Sequence, residues 1–316
     1  MPTEIGALVA GLRARDRSAI AKSISVMEQG GPDAAALSAA IFPNTGSARV
    51  LGLTGAPGAG KSTLTDQLIR CARGEGDEIG VLAIDPTSPF TGGAILGDRV
   101  RMQNHATDDG VFIRSMATRG HLGGLALAVP QAVRVLDAAQ KPWVLIETVG
   151  VGQVEVEIAG TADTTIVVVT PGWGDGVQAN KAGLMEIADI FVVNKADRPG
   201  ARETVRDLEQ MLDLALEIDR TPGWRPPIVE TVATSGDGID ALWKAIAAHS
   251  AHLEAHGDLA RRRRARLAAE LTSLVFAEVA RDVAERCRGE RFDALVDQLE
   301  SRIISPQVAA RTVLDT

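Results

Sequence analysis

The sequence predicts an α/β fold in which helices flank a mostly parallel β-sheet. From residue 49 to about residue 248, short runs of β-branched residues alternate with segments whose apolar residues recur at helical spacing. Strands that are apolar along most of their length are typical of a parallel sheet covered on both faces. A glycine-rich segment, GAPGAGKS at 55–62, directly follows the first of these runs. Ligands of such sheets bind beyond the carboxyl ends of the strands, so this segment marks the expected binding edge.

Three regions are predicted along the chain. Residues 1–47 form an N-terminal helical extension, in which the helical apolar spacing is broken by Gly30-Gly31-Pro32. Residues 48–256 form the sheet domain, and residues 257–316 form a helical arm with two apolar stripes. The predicted strands of the sheet domain lie at 49–54, 79–84, 111–114, 143–146, 165–170, 189–193 and 228–232. Either the arm packs back on the sheet domain or it pairs with the arm of a second chain, and the length of its first stripe favours a homodimer.

Composition and charge narrow the class of protein. Of 316 residues, 45% are hydrophobic and 23% are charged, which is typical of a folded globular protein. The net charge of -8 disfavours nucleic acid as a partner, because binding it requires neutralising phosphates. Cys71 and Cys287 are interpreted as small buried apolar residues, and not as a disulfide or a thiolate metal site. No apolar run reaches the roughly 18 residues of a membrane span and no signal peptide is indicated, so we expect a cytoplasmic protein without membrane contact.

Residues 55–62 fit the phosphate-binding pattern GxxxxGK[ST], which predicts the fold of a P-loop NTPase. The glycines of this segment let backbone N–H groups turn inward around phosphate oxygens, and the following helix directs its positive end at the same anion. Lys61 is expected to reach the β- and γ-phosphates, and the Ser62 hydroxyl to ligate Mg²⁺. The predicted nucleotide contacts are Gly55, Ala56, Pro57, Gly58, Ala59, Gly60, Lys61, Ser62 and Thr63.

A second motif, Asn194-Lys195-Ala196-Asp197, follows a predicted apolar strand and matches the NKxD motif with which GTPases read guanine. The Asp197 carboxylate can accept hydrogen bonds from N1–H and the 2-amino group of guanine, which adenine does not offer in that arrangement. Asn194 is expected to fix the loop, and the stem of Lys195 to lie along the base. Ala233 and Thr234 follow the last strand and loosely resemble the second base-side loop of GTPases.

The predicted magnesium ligands are oxygen groups, because Mg²⁺ is a hard cation. Besides Ser62, the candidates are Asp85, at the end of the second strand, and Asp98, further along the same loop. Each aspartate alone would be better explained as an ordinary loop residue or a helix N-cap. Their position after a strand next to the phosphate-loop unit makes them metal-ligand candidates together.

The segment Glu147-Thr148-Val149-Gly150 follows another strand and resembles the DxxG segment of GTPases, with Glu in place of Asp. Glu147 is expected to orient a water on Mg²⁺ or the attacking water, and the Gly150 N–H to meet the γ-phosphate. Lys61, Glu147 and Gly150 are therefore the predicted catalytic residues. Position 151 is Val, where many GTPases carry the glutamine that orients the nucleophilic water, so slow intrinsic hydrolysis is predicted.

Several long segments together resemble one family. The phosphate loop, IDPTSPFTGGAILGDRVRM, ETVGVGQVEVEIAG, TPGWGDGVQANKAGLMEIAD and VNKAD are similar to segments of the MeaB/ArgK family, the GTPases associated with methylmalonyl-CoA mutase. The resemblance is dense from about Val50 to Ala245 and looser in the helical ends.

This resemblance implies a homodimeric P-loop GTPase that assists an adenosylcobalamin-dependent acyl-CoA mutase. Family members act as chaperones that use GTP to gate cofactor loading and to protect the mutase. The resemblance also implies a Mg²⁺ site at Ser62, Asp85 and Asp98 with Glu147 beside it, and a C-terminal arm that dimerises. In an additional switch at 171–183, it assigns the partner-sensing positions to Asp175, Gln178 and Lys181, while Trp173 departs from the family pattern.

Two charged clusters have simpler interpretations than a binding site. His249, His252 and His256 lie at helical spacing, and flanking Ala and Glu favour a solvated helix face over a metal site. The run Arg261 to Arg264 points around most of a helix, because consecutive residues rotate by about 100°. Ion pairs with acidic residues or with a dimer mate are therefore expected in preference to nucleic-acid binding.

Three rival functions share the nucleotide site. A nickel-insertion accessory GTPase would usually carry a histidine-rich or cysteine metal site, which the sequence lacks. A transport-associated ATPase is disfavoured by the NKxD segment, and a small-molecule kinase by the switch-like segments.

Overall fold

The computed structural model of the chain describes residues 2–86, 105, 107–118, 124–148, 160–172, 183, 185–218 and 223–315. Its N-terminal region consists of helices α1 (Pro2–Arg13), α2 (Arg17–Gln29) and α3 (Gly31–Ile41), followed by a short 3-10 helix at Phe42–Asn44. The Asp16 carboxylate caps α2 by accepting a hydrogen bond from the Ala19 N–H at 2.7 Å. Gly30, at φ 71°, separates α2 from α3 at the predicted break.

The centre of the molecule is a seven-stranded sheet whose neighbouring strands are all parallel among the residues described. The strands are β1 (Arg49–Gly55), β2 (Ile79–Pro86), β3 (Val111–Thr118), β4 (Trp143–Thr148), β5 (Thr164–Val169), β6 (Ile190–Asn194) and β7 (Ile228–Thr231). Their order is β3-β2-β4-β1-β5-β6-β7. All seven predicted strands are confirmed, with ends shifted by a few residues. The segment after β1 lies where the order of strands reverses, which is the usual ligand position in such sheets.

Helices cover both faces of the sheet. They are α4 (Lys61–Gly74), α5 (Gly124–Ala138), α6 (Ala201–Ile218) and α7 (Ile239–Ala255). Successive strand residues point to opposite faces, so neighbours along one strand divide between two cores. Val144 and Ile146 pack with α5 and the N-terminal helices, whereas Leu145 packs with α4 and α7. The N-terminal extension therefore completes one face of the sheet.

The C-terminal helices are α8 (Asp258–Arg286), α9 (Glu290–Glu300) and α10 (Pro306–Leu314). The chain divides into two compact units, Met1–Arg266 and Leu267–Thr316. The first turns of α8 thus belong to the larger unit. In the part of the chain that the structure describes, no helix is long and apolar enough to cross a membrane.

The arginine run at the start of α8 forms ion pairs, as predicted. Arg261 pairs with Asp258 at 2.5 Å, and Arg262 pairs with Asp189 at 2.9 Å. Arg263 pairs with Asp163 at 2.7 Å. The pairs of Arg262 and Arg263 hold the first turns of α8 beside β5 and β6, whereas the Arg261 pair lies within α8.

The prediction that three histidines lie on a solvated face is wrong for His249. This residue is fully buried, because α7 turns it toward the sheet, where its Nδ1 lies 2.8 Å from Thr164 Oγ1. The Trp224 ring covers it at 4.9 Å between ring centres. No group of three or more His, Cys, Asp or Glu suited to a metal ion occurs among the described residues. Cys71 and Cys287 are free thiols of intermediate exposure, so the prediction that they are buried is also wrong.

Candidate nucleotide site

The loop between β1 and α4 requires glycine at both of its ends. Gly55 has φ 139°, and a Cβ on it would lie 2.1 Å from the Val168 carbonyl oxygen. Gly60 has φ 95°, and a Cβ there would lie 2.2 Å from Asn194 Nδ2. Side chains at these positions would collide with backbone and with a packed amide, so the tight path of the loop depends on glycine.

The loop leaves its backbone accessible. Residues 56–58 are exposed, and among the described residues no side chain caps the first turn of α4. The first N–H groups of a helix have no acceptor within the helix. The positive end of the helix dipole favours an anion as their acceptor. Lys61 is buried at the start of α4, and its ammonium donates to the carbonyl oxygens of Gly55 (2.6 Å) and Ala56 (2.9 Å). The loop therefore holds one cation through its carbonyl oxygens, while Ala56 and Gly58, which carry N–H groups, are exposed.

A buried carboxylate lies beside the start of α4. The Ser62 hydroxyl donates to Glu147 Oε1 at 2.5 Å, and the Thr65 hydroxyl donates to Glu147 Oε2 at 2.8 Å. Glu147 is 3% exposed. It is brought there by β4, where it pairs in register with Leu53 of β1 and with Ala83 of β2. The structure thus brings together two residues that lie far apart in the sequence, Ser62 and Glu147, as the motifs predicted.

The donor set at this position suits Mg²⁺. A hydroxyl that donates one hydrogen bond keeps lone pairs for a cation, so Ser62 can bond to Glu147 and still offer oxygen to a metal. Carboxylate and hydroxyl oxygens are the ligands that Mg²⁺ prefers. The backbone of Asp85 lies two residues beyond Ala83, at the carboxyl end of β2 and at the same edge of the sheet. Its side chain, and the whole of Asp98, lie outside the described residues.

Asn194 connects the phosphate loop to the base-side loops. Its Nδ2 donates to the Ala59 carbonyl oxygen at 2.8 Å, and its Oδ1 accepts from Thr231 Oγ1 and the Ala233 N–H, both at 3.1 Å. Lys195, which has φ 60°, donates from its ammonium to the Gly58 carbonyl oxygen at 2.7 Å. The two predicted motifs therefore converge at one edge of the sheet.

The predicted base-reading groups lie at the mouth of this arrangement. Asp197 and Thr234 are exposed, whereas Ala233 is buried and held by Asn194. Gln67 of α4 donates to the Ala233 carbonyl oxygen at 3.0 Å, which fixes this loop from the opposite side. Sequence reasoning missed Gln67 and Thr65, although both lie on the helix that the phosphate motif starts.

The remaining predicted residues cannot be placed. Gly150 and the switch residues Trp173, Asp175, Gln178 and Lys181 lie outside the described residues. Their roles stay predictions from the sequence.

Comparison with known proteins agrees with this geometry. The GTPase ArgK of Escherichia coli is 40% identical over 255 residues, covering 78% of this chain and 76% of that protein. A protein of Pyrococcus horikoshii is 50% identical over 311 residues, covering 98% of both chains. The crystal structure of a LAO/AO transport system kinase aligns with a TM-score of 0.72 and 27% identity, covering 100% of this chain and 98% of that one.

A longer relative is also found. The fused isobutyryl-CoA mutase of Cupriavidus metallidurans is 36% identical over 251 residues, which are 78% of this chain and 22% of that protein. Residues 20–288 match the family described as methylmalonyl-CoA mutase-associated GTPase MeaB. The chain therefore belongs to the MeaB family of GTPases.

Proposed function

We propose that this GTPase binds GTP with Mg²⁺ at the carboxyl edge of the sheet, and that its nucleotide cycle serves an adenosylcobalamin-dependent acyl-CoA mutase. The proposed nucleotide site rests on one observation. The Ser62 hydroxyl donates to the buried Glu147 carboxylate, beside the loop whose backbone holds the Lys61 ammonium. Asp197, exposed at the mouth, supplies the carboxylate for the N1–H and 2-amino group of guanine.

Hydrolysis at this site depends on placing positive charge around the γ-phosphate. The loop amides and Lys61 stabilise the charge that spreads over the phosphoryl oxygens in the transition state. Bound Mg²⁺, held by Ser62 with Asp85 and Asp98, would neutralise charge on the β- and γ-phosphates. Glu147 orients water from its buried position. Val151 cannot orient the attacking water as a glutamine does, so intrinsic turnover is slow.

Lys61 exchanges partners when nucleotide binds. Its ammonium donates to the carbonyl oxygens of Gly55 and Ala56, which are uncharged acceptors. A phosphate carries full negative charge, so its contact with the ammonium adds an attraction between opposite charges that a carbonyl lacks. The lysine therefore turns from its own loop to the ligand, while the loop keeps its shape through its two end glycines.

Replacing Lys61 tests the nucleotide part. Lys61→Ala should lower GTP turnover by at least about 100-fold, because a main source of transition-state charge stabilisation is lost. Turnover is measured as phosphate release at saturating GTP and Mg²⁺. The matched control is Lys244→Ala, at a lysine of α7 outside the candidate site. Turnover of Lys61→Ala at the wild-type rate would contradict the site.

Two findings support the mutase as partner. The family is described by its association with methylmalonyl-CoA mutase, and a related segment forms about a fifth of a fused acyl-CoA mutase. A covalent fusion keeps a GTPase segment and a mutase at high effective concentration. A separate GTPase chain can reach the same proximity by binding the mutase. We propose that nucleotide state gates cofactor loading of the mutase and protects it, with Asp175, Gln178 and Lys181 at the contact.

The partner is tested by mixing the chain with a purified B12-dependent acyl-CoA mutase. GTP turnover should rise several-fold, and transfer of adenosylcobalamin to the mutase should depend on which nucleotide is bound. Lys61→Ala should bind the mutase without this turnover. If neither co-purification nor a change in turnover is observed, the mutase proposal is rejected while the GTPase site stands.

A further inference from the structure

Thr65 contacts the candidate catalytic carboxylate from inside the protein. It lies on α4, is fully buried, and donates its hydroxyl to Glu147 Oε2 at 2.8 Å. We infer that Thr65 is a positioning residue for GTP hydrolysis, which holds the Glu147 carboxylate in the orientation where its other oxygen faces Ser62. This inference rests on the proposed function of the Glu147 site.

The hydrogen bond of Thr65 differs from that of other hydroxyls in the middle of helices. A serine or threonine there usually donates to the carbonyl oxygen one turn earlier, which satisfies the hydroxyl without any tertiary contact. Four hydroxyls among the described residues do so: Ser25 to Ala21 O at 3.1 Å, Thr204 to Gly200 O at 3.1 Å, Thr272 to Ala268 O at 2.9 Å and Thr312 to Val308 O at 3.0 Å. Thr65 instead reaches across to β4, so its hydroxyl is directed at Glu147.

Helix geometry explains why two hydroxyls can hold one carboxylate. Ser62 and Thr65 are three residues apart and so lie on the same face of α4. Each donates to a different oxygen of Glu147. The terminal torsion of a glutamate is otherwise broad, so a donor on each oxygen restricts its rotation more than a donor on one oxygen does.

Loss of the Thr65 hydroxyl would have two consequences. Oε2 of a carboxylate that is 3% exposed would lose a donor, and water has little access to replace it. The carboxylate could then rotate, so that Oε1 no longer faces the Ser62 hydroxyl and the Mg²⁺ that Ser62 would ligate. Groups that orient a metal-site carboxylate change metal affinity or activity by about 10–100-fold when they are removed.

The test compares Thr65→Val, which keeps the branched shape and removes the hydroxyl, with Thr65→Ser, which keeps the hydroxyl. Thr65→Val should lower kcat for GTP by about 10-fold or more, with KM within about 2-fold, because the loop amides that bind phosphate are unchanged. Thr65→Ser should recover most of the wild-type kcat. Melting of the nucleotide-free proteins identifies any loss of kcat that comes from unfolding.

A second measurement does not depend on turnover. Release of a fluorescent GDP analogue is followed while Mg²⁺ is raised, and the Mg²⁺ concentration for half-maximal retention should be about 10-fold higher in Thr65→Val than in wild type or Thr65→Ser. Equal values in all three proteins, or an equal defect in Thr65→Ser and Thr65→Val, would overturn the inference. A wild-type chain that retains the analogue with Mg²⁺ but never hydrolyses GTP contradicts the proposed hydrolysis instead, and the Mg²⁺ series still decides the role of Thr65.

Discussion

The amide of Asn194 uses both of its ends, one on the phosphate loop and one on the base-side loop. Nδ2 donates to Ala59 O, and Oδ1 accepts from Thr231 and Ala233. An aspartate would place an oxygen against the Ala59 carbonyl and could not donate there. Asn194 is buried, so such a mismatch could not be relieved by water. One side chain thus links the phosphate loop to the base-side loop.

Asp197 determines the choice of base in our proposal. Asp197→Asn should weaken GTP binding by about 100-fold, because two hydrogen bonds to a charged acceptor are lost, each worth about 1.5 kcal/mol. Xanthosine triphosphate should bind more tightly than GTP, since the asparagine amide can donate to its C2 carbonyl. Competition of the two nucleotides against a fluorescent GDP analogue measures the preference.

The control for this change in nucleotide preference is Asp207→Asn, at an exposed aspartate on α6. It changes the net charge by the same amount and should keep the preference for GTP. An unchanged preference in Asp197→Asn would show that guanine is read elsewhere.

Sequence motifs identified the residues whose role depends on local spacing. Lys61, Ser62 and Asn194 lie where the motifs placed them, because a glycine-rich loop and a strand end impose that geometry by themselves. Thr65 was missed because its role depends on where β4 brings Glu147, which no spacing along α4 reveals. The signal that could have found it is its position one turn after Ser62. His249 was misjudged because its neighbours are polar, whereas its burial depends on the packing of α7.

At the scale of elements, the first turns of α8 hold the amino ends of two strands. Asp163 directly precedes β5, accepts from Arg263 and Arg266, and also accepts from the Val50 N–H at 3.1 Å. Burial raises the pKa of Asp163, but the hydrogen bond from Arg263 and the charges of Arg266 and Arg263 outweigh burial and hold the pKa below its usual range. This cluster lies at the amino edge of the sheet, opposite the nucleotide edge.

Arg263→Gln should therefore destabilise the larger unit in a pH-dependent way. At neutral pH we expect a loss of about 2 kcal/mol in the free energy of unfolding, because a buried carboxylate loses a cation. The pKa of Asp163 is lowered by folding, so its contribution is present above the unfolded value of about 3.9 and is lost as the pH falls through the folded value. The difference between wild type and variant should shrink below about pH 4.

Urea unfolding at fixed protein concentration, between neutral pH and about pH 3, measures this difference. Some difference should remain in acid, because Arg263 also donates to the carbonyl oxygens of Gly46 and Ala48, which do not titrate. The control is Arg264→Gln, at an exposed neighbour that forms no ion pair with the described residues. A difference that is independent of pH would exclude the role of Asp163.

The order of the strands shows where sequence reasoning ends. Each strand is apolar enough to be recognised alone, and all seven were predicted. The position of β1 between β4 and β5 is set by helix crossovers and by packing on both faces of the sheet. The apolar pattern of a strand is the same whichever strand lies next to it, so the pattern does not predict this order. The expected binding edge could nevertheless be named without the strand order, because every parallel order brings the carboxyl ends of the strands to one edge.

At the scale of the whole molecule, the smaller unit has little core of its own. Within residues 267–315, the buried apolar side chains are Ala309 and Val313, whereas Leu271 and Phe276 are 63% and 70% exposed. The exposed large apolar residues of α8 are Leu267, Leu271, Leu274, Val275, Phe276 and Val279. Large apolar side chains that recur in exposed positions along one helix are typical of an interface.

We expect the stripe that begins at Leu267 to pair with that of a second copy, because an isologous interface uses one self-complementary surface twice. Leu271→Lys places a charge within the stripe and should shift the mass in solution from twice the chain mass of 33.2 kDa to a single one. Ala284→Lys is the matched control, since Ala284 is exposed and lies thirteen residues further on, about 140° around the helix from Leu271. Light scattering over a range of concentrations measures the mass. A wild-type monomer, or a dimer unaffected by Leu271→Lys, would exclude pairing through this stripe, whereas dissociation by Leu271→Lys alone would assign it the interface.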